Sequence, residues 1–196
     1  MTLRLINLDC PSCGSGMRGD GFDTIFFCSH CGGAAVLGAD GLETVRGSAL
    51  LPAPGRRAEI WRPAWRIDAD VRVHDRVRAD GRRTEDWQQR RAFVVPAFDL
   101  PLDDLTRLTR ALSEVVGATA EVPREPVRGG TLSVPDAVAL VRHILIGDEV
   151  RRSDVLASVA VDLDDVEQRL VALPMQPVDG GLRCAVTGVT VRAPRR

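Results

Sequence analysis

Two copies of the pattern Cys-x-x-Cys-Gly, CPSCG from Cys10 and CSHCG from Cys28, constrain this chain more than any other feature. A Cys-x-x-Cys turn presents two thiolates to one ion, and the following Gly lets the backbone close tightly around them. Two such turns complete a tetrahedral shell. Fourteen residues separate Cys13 from Cys28, enough for a hairpin that carries the second turn back opposite the first. Four of the five cysteines lie in these pairs, a pattern that reads as metal binding in a reducing compartment rather than as a disulfide framework.

The two knuckles resemble those of the zinc-ribbon and rubredoxin-like families, over residues 8–46 only. The resemblance implies Cys10, Cys13, Cys28 and Cys31 as ligands of a single structural metal ion. Zinc is the expected metal. The module has no Tyr or Trp, only Phe22, Phe26 and Phe27, whereas a rubredoxin-like electron carrier packs several aromatics around iron. His30 falls inside the second knuckle, but four thiolates already fill the shell, so it is expected to be exposed. A segment of about forty residues buries too little apolar surface to fold alone, and metal binding can supply on the order of 10 kcal/mol instead.

Charge bears on what such a module could touch. Residues 1–45 hold Arg4 and Arg18 against Asp9, Asp20, Asp23, Asp40 and Glu43, and a zinc bound by four thiolates adds a formal −2. Phosphate binding needs clustered cations, so this segment disfavours nucleic acid. The opposite imbalance lies in residues 56–91, where eleven Arg face seven acids and all three tryptophans, Trp61, Trp65 and Trp87, occur. Arg and Trp dominate protein–protein hot spots and also stack on bases. Trp61, Arg62, Trp65 and Arg66 are accordingly the candidate partner-binding residues. The plainer alternative is a charged strand face over a Trp core.

Asp-Gly turn signals at Asp20-Gly21, Asp40-Gly41, Asp80-Gly81 and Asp179-Gly180 mark candidate hairpin tips. Ahead of the third, Ile67, Ala69, Val71 and Val73 alternate with Asp68, Asp70, Arg72 and His74, the period of a strand with one buried face. Two helices are predicted. One has Leu102, Leu105, Leu108, Leu112 and Val115 on a single face, with Asp103, Asp104, Arg107, Arg110 and Glu114 facing away, opened by Pro101 and closed by Gly117. The other is capped by Ser133 and turns Val138, Val141, Ile144 and Leu145 inward. A third, weaker helical segment is read from Ser153 to Gln168, with its helical extent left open. Pro63, Pro96 and Pro174 each follow an apolar run and are read as strand ends, with a structural duplication as the alternative.

The expected fold is α+β: a zinc ribbon at residues 1–46, a linker at 47–57, and a domain of antiparallel β-hairpins with two or three helices at 58–196. The loop 121–130 is expected to be a mobile surface connection. The N-terminus lacks a signal-peptide pattern and no run approaches a membrane span, which predicts a cytoplasmic protein. All 26 cationic residues are Arg, which rules out Schiff-base lysine chemistry and a Walker A lysine. His30, His74 and His143 stand in separate segments without a nucleophile motif, and His143 is read as a structural histidine beside the apolar face of the second helix. Cys184 is read as a buried strand thiol. Asp103-Asp104 and Asp164-Asp165 are read as acids of helix first turns, not as a catalytic pair. The sequence therefore predicts a non-catalytic subunit, adaptor or assembly factor of a multi-subunit protein complex. Nucleic-acid binding through residues 56–91 and rubredoxin-like electron transfer are the alternatives.

Overall fold

The computed structural model describes residues 7–115, 118–152 and 156–192. Its elements in chain order are β1 (Ile25–Phe27), β2 (Ala34–Leu37), β3 (Leu42–Val45), β4 (Gly47–Leu50), β5 (Ile60–Arg78), β6 (Trp87–Pro96), α1 (Leu102–Glu114), β7 (Thr119–Ala120), α2 (Val134–Arg152), β8 (Leu156–Val178), β9 (Gly181–Cys184) and β10 (Thr190–Arg192). The fold is mixed α+β with mostly antiparallel strands. No helix among the described residues is long and apolar enough to cross a membrane.

The scaffold is the antiparallel set β6-β5-β8, in which β5 pairs with β6 from Ala64 to Val73 and with β8 along most of its length. Ile67, Ala69, Val71 and Val73 are each fully buried, as their alternation predicts. They pack with Trp65, Phe93 and Val95 under Val141, Ile144 and Leu145 of α2. The opposite face becomes apolar only at its far end, where Ala64, Val94, Val171 and Leu173 receive Leu108 and Leu112 of α1. Each helix thus covers a different end and a different face of one sheet.

Three of the four Asp-Gly turns connect paired strands: β2–β3, β5–β6 and β8–β9. Asp20-Gly21 does not; it forms a local turn closed by the Asp23 amide on the Asp20 carbonyl. The third helical segment read from Ser153 is instead strand from Leu156 onward. Asp68 pairs with Glu167 but Asp70 with Asp164, so β8 carries one extra residue there, and Asp165 takes a φ of 47°. That bulge puts Leu163, Val166 and Leu170 at helical spacing within a strand, which is why periodicity alone misleads. Asp164 and Asp165 are consequently strand residues, not first-turn acids.

Ser133 caps α2 as expected, its Oγ accepting from the Asp136 amide at 3.3 Å. Along α1, Leu108 and Leu112 are buried while Leu102 and Val115 are exposed. Asp104, predicted to face away, is only 4% exposed. It accepts from Arg107 at 2.6 Å and from Arg192 of β10 at 2.7 Å, so the partners that permit its burial come largely from a strand 88 residues later. Gly117, read as the stop of this helix, lies outside the described residues. His143, read as lying by the apolar face, is exposed.

The segment 47–57 is only partly a linker. Its first four residues form β4, which runs parallel to β8 and antiparallel to β7. The loop 121–130 is a strap. Trp61 Nε1 donates to Glu125 at 2.9 Å, the Arg128 amide donates to the Trp61 carbonyl, and Val127 is buried. Pro63 sits in the central strand, not at an edge. Its carbonyl accepts from Ala97, whose own carbonyl takes the amides of Thr131 and Leu132, so no ladder partner is left waiting for the donor that Pro63 lacks. The element order around the three prolines is strand, strand, helix and then helix, strand, strand, which is not a simple repeat.

Candidate metal centre

The sulfur cluster is built on a three-stranded sheet, β1-β2-β3, with one knuckle before it and one between β1 and β2. In the first knuckle the Cys10 amide donates to the Ser15 carbonyl and the Gly14 amide to the Cys10 carbonyl, both at 2.8 Å. In the second, Cys28 and Gly33 bond at 2.7 Å and Gly32 and Cys28 at 2.8 Å, the same pattern. The backbone alone therefore aims each pair of sulfurs.

All four Sγ atoms of Cys10, Cys13, Cys28 and Cys31 lie within 4.8 Å of one another. The cross-knuckle distances are 3.6 Å for Cys10–Cys31 and 3.7 Å for Cys13–Cys28. A tetrahedral ion with metal–sulfur bonds near 2.3 Å requires sulfurs about 3.8 Å apart, which the two cross-knuckle distances match. Cys10 and Cys28 are buried while Cys13 and Cys31 are exposed, which gives the site a closed inner side and a wet outer one.

The surroundings act on the two exposed thiols in opposite directions. Hydrogen bonds from the Ser15 side chain and backbone bring the Cys13 thiol down to about 6. The Gly33 amide at 3.3 Å favours the Cys31 thiolate, but Cys13, Cys10, Cys28 and partial desolvation oppose a further negative charge, and Cys31 is held up to about 12. A cation at the centre would remove that opposition. Gly33 is a residue that the spacing argument missed. A Cβ there would stand 3.2 Å from Cys31 Sγ and 3.6 Å from Cys10 Sγ, against the cluster itself. The second glycine of CSHCGG was its signal. His30 is exposed and outside the sulfur group.

The three residues of β1 face both ways. Phe26 packs with Cys10, Cys28, Met17 and Ala35 over the sulfurs. Ile25 and Phe27, with Ala34, belong to the core that holds Trp61 and Trp65. Backbone bonds between Ile25 and Gly130 in both directions fasten the module to the strap. The cysteine module thus shares a core with the sheet.

The candidate partner residues fall into two environments. Trp61 and Trp65 are 8% and 2% exposed, and Trp65 Nε1 donates to the Leu132 carbonyl at 2.8 Å. Arg62 is 8% exposed, with its guanidinium 4.5 Å from the Phe98 ring centre. Arg66 lies on the charged sheet face, paired with Asp68 at 3.1 Å. These four residues do not make one exposed patch; their burials match a charged strand face over a Trp core.

The same face gathers the arginines of β5 and β6 with the acids of β8. Arg72 meets Asp162 at 2.6 Å, and Arg90 meets Asp165 at 2.7 Å and Glu167 at 2.9 Å. His74 stands between Asp75 and Asp162, 3.0 Å from each. The local excess of Arg in residues 56–91 is answered in part by carboxylates 75 to 90 residues further along the chain.

A third knuckle turn occurs without a second cysteine. In CAVTG the Cys184 amide donates to the Val189 carbonyl and the Gly188 amide to the Cys184 carbonyl, each at 2.8 Å. The flanking strands keep the register of β1 and β2, with Arg183 opposite Thr190 as Phe27 is opposite Ala34. Thr187 takes the place of Cys31, and Cys184 is fully buried in the strand core, as its sequence context predicts.

Comparison with protein-family models, with curated proteins and with solved structures finds no match for this chain. Its own geometry defines a class: an α+β protein carrying a four-cysteine, zinc-ribbon-like site within metal-binding distance.

Proposed function

We propose that the protein is a zinc-binding, non-catalytic subunit, adaptor or assembly factor of a larger cytoplasmic protein complex, in which the zinc ribbon is both a fold staple and a docking element. Zinc supplies a fixed tetrahedral anchor for the two knuckles. The chain's own residues supply the contact surface. Iron is disfavoured because the module's aromatics do not surround the cluster: Phe26 covers it, Phe27 turns to the sheet core and Phe22 is 88% exposed.

The observation that carries the docking reading is the place of Phe22. It stands at the turn of the ribbon beside a cleft of about 610 Å³ between ribbon and sheet, lined also by Asp20, Asp23, Asp99, Arg62 and Phe98. Three carboxylates against one guanidinium, with two aromatic rings, complement a basic and partly apolar segment of a partner protein. Nucleic acid is the weaker reading, because the sheet-face arginines already pair with β8 carboxylates.

The test is purification from the native source with metal analysis, followed by the same purification of Phe22→Ala. The expected result is one zinc per chain, co-elution with a larger assembly, and loss of that assembly in the variant without loss of zinc. Elution as a free monomer with no partner at low salt would overturn the adaptor reading. A visible thiolate-to-metal absorption band with bound iron would favour electron transfer instead.

A further inference from the structure

We propose that a second site, between α1 and α2 at the open edge of β6, binds the phosphate group of a small phosphorylated molecule. The two helices diverge over a cleft of about 320 Å³, at the lower end of the size range of small-molecule pockets, about 300 to 1,000 Å³. Four arginines from three elements line it: Arg91 of β6, Arg110 of α1, and Arg151 and Arg152 of α2. Only two lining residues, Glu114 and Asp148, are acidic, in a chain whose net charge is −1.

The pairing within the cleft leaves cationic capacity over. Asp148 Oδ1 is shared by Arg110 at 2.9 Å and Arg151 at 3.7 Å, and Arg152 pairs at 3.3 Å with Glu149, a carboxylate it shares with Arg76. The Nη2 atoms of Arg110 and Arg151 both lie 3.8 Å from the Cβ position of Gly147, so the two guanidiniums converge over the same stretch of α2. Arg91 makes no ion pair among the described residues and is held instead over the Phe93 ring at 5.2 Å. Arginines in the last turn of a helix also serve its macrodipole, but that amounts to about half a charge and leaves the cleft positive.

Thr109, 1% exposed, belongs to the buried floor of the cleft, so the groups that face a ligand are the guanidiniums. A phosphate oxygen accepts from the planar forks of Arg91 and Arg110. The small volume favours a small molecule over a polymer, whose backbone would need a longer track of cations.

The full-length, metal-loaded protein titrated with inorganic phosphate and pyrophosphate at low ionic strength, followed by calorimetry and phosphorus NMR, tests this. Saturable binding is expected, weakened about tenfold or more by Arg91→Gln. Arg72→Gln, on the other sheet face, should bind as the parent does. Arg151→Gln, at a side chain 63% exposed, replaces Arg91→Gln should the latter fail to fold. Absence of saturation, equal affinity in parent and Arg91→Gln, or equal binding of acetate and citrate would each overturn the proposal. An Arg91-dependent affinity for single-stranded RNA without affinity for pyrophosphate would assign the cleft to a polymer instead.

Discussion

Cys28 and Cys184 open turns of the same hydrogen-bonded shape, yet one belongs to a four-sulfur cluster and the other to an apolar core. The relationship shows that the knuckle backbone does not depend on metal. An ion held by the four sulfurs would add a tie between two knuckles that otherwise meet through the small apolar cluster around Phe26.

Gly188 and its counterpart Gly32 both hold positive φ, 81° and 75°. Alanine at either should cost about 1–2 kcal/mol through left-handed strain. Gly188→Ala should lower the urea midpoint and leave metal content unchanged, whereas Gly32→Ala should weaken metal retention against a chelator as well. Loss of metal in Gly188→Ala would show that the two turns are not independent.

Removing the metal should loosen one part of the molecule first. β1 to β3 have only short pairings of three and four residues, while β5 and β8 pair over most of their length. Chelation, or Cys10→Ser, should raise amide exchange at β1–β3 by orders of magnitude and leave the protected core of β5 and β8 nearly unchanged. Uniform loss of protection would mean that the sheet depends on the cluster.

Asp104 gives a pH signature. Hydrogen bonds from Arg192, with Arg107, hold its carboxyl down to about 2, from an ordinary value of 3.8. The depressed folded value means that its stabilisation is fully present above about pH 4 and is lost as pH falls through 2. With Arg107 and Arg192 more than half exposed, the discounted contribution is roughly 1–2 kcal/mol. Asp104→Asn should therefore be less stable than the parent at pH 7, with the difference closing in acid, measured by denaturant unfolding at each pH.

Glu149 is a buried anion near the end of α2, 2.7 Å from Arg76 and 3.2 Å from Trp87 Nε1. Its removal strands a guanidinium whose side chain is 12% exposed. Glu149→Ala should cost about 3–5 kcal/mol and shift the Trp87 emission, while the Arg76→Met, Glu149→Met pair should recover much of the loss. A small effect in the single variant would mean that water replaces the carboxylate.

Much of the architecture was legible because it is local. The alternation of Ile67 to Val73 prescribed a strand with one buried face, Ser133 prescribed a helix start, and three Asp-Gly pairs prescribed hairpins. The sulfur cluster was legible for the same reason, since each Cys-x-x-Cys turn is a contact between residues three apart. Where an extra residue entered β8 at Asp165, local spacing pointed the wrong way, because a bulge converts strand alternation into helical intervals.

By itself the sequence determined the four-cysteine cluster, three hairpin tips and the faces of the central strand, all set by backbone periodicity and turn chemistry over a few residues. Only the tertiary structure decided what those parts are next to. It placed the tryptophans under α2 and the strap, buried Asp104 beside Arg192, and set the carboxylates of β8 against the arginines of β5 and β6. It also brought Arg91 and Arg110 to one cleft with Arg151. Such pairings join residues far apart in the chain, and burial and charge neutralisation depend on distance in space, which no short stretch of sequence encodes.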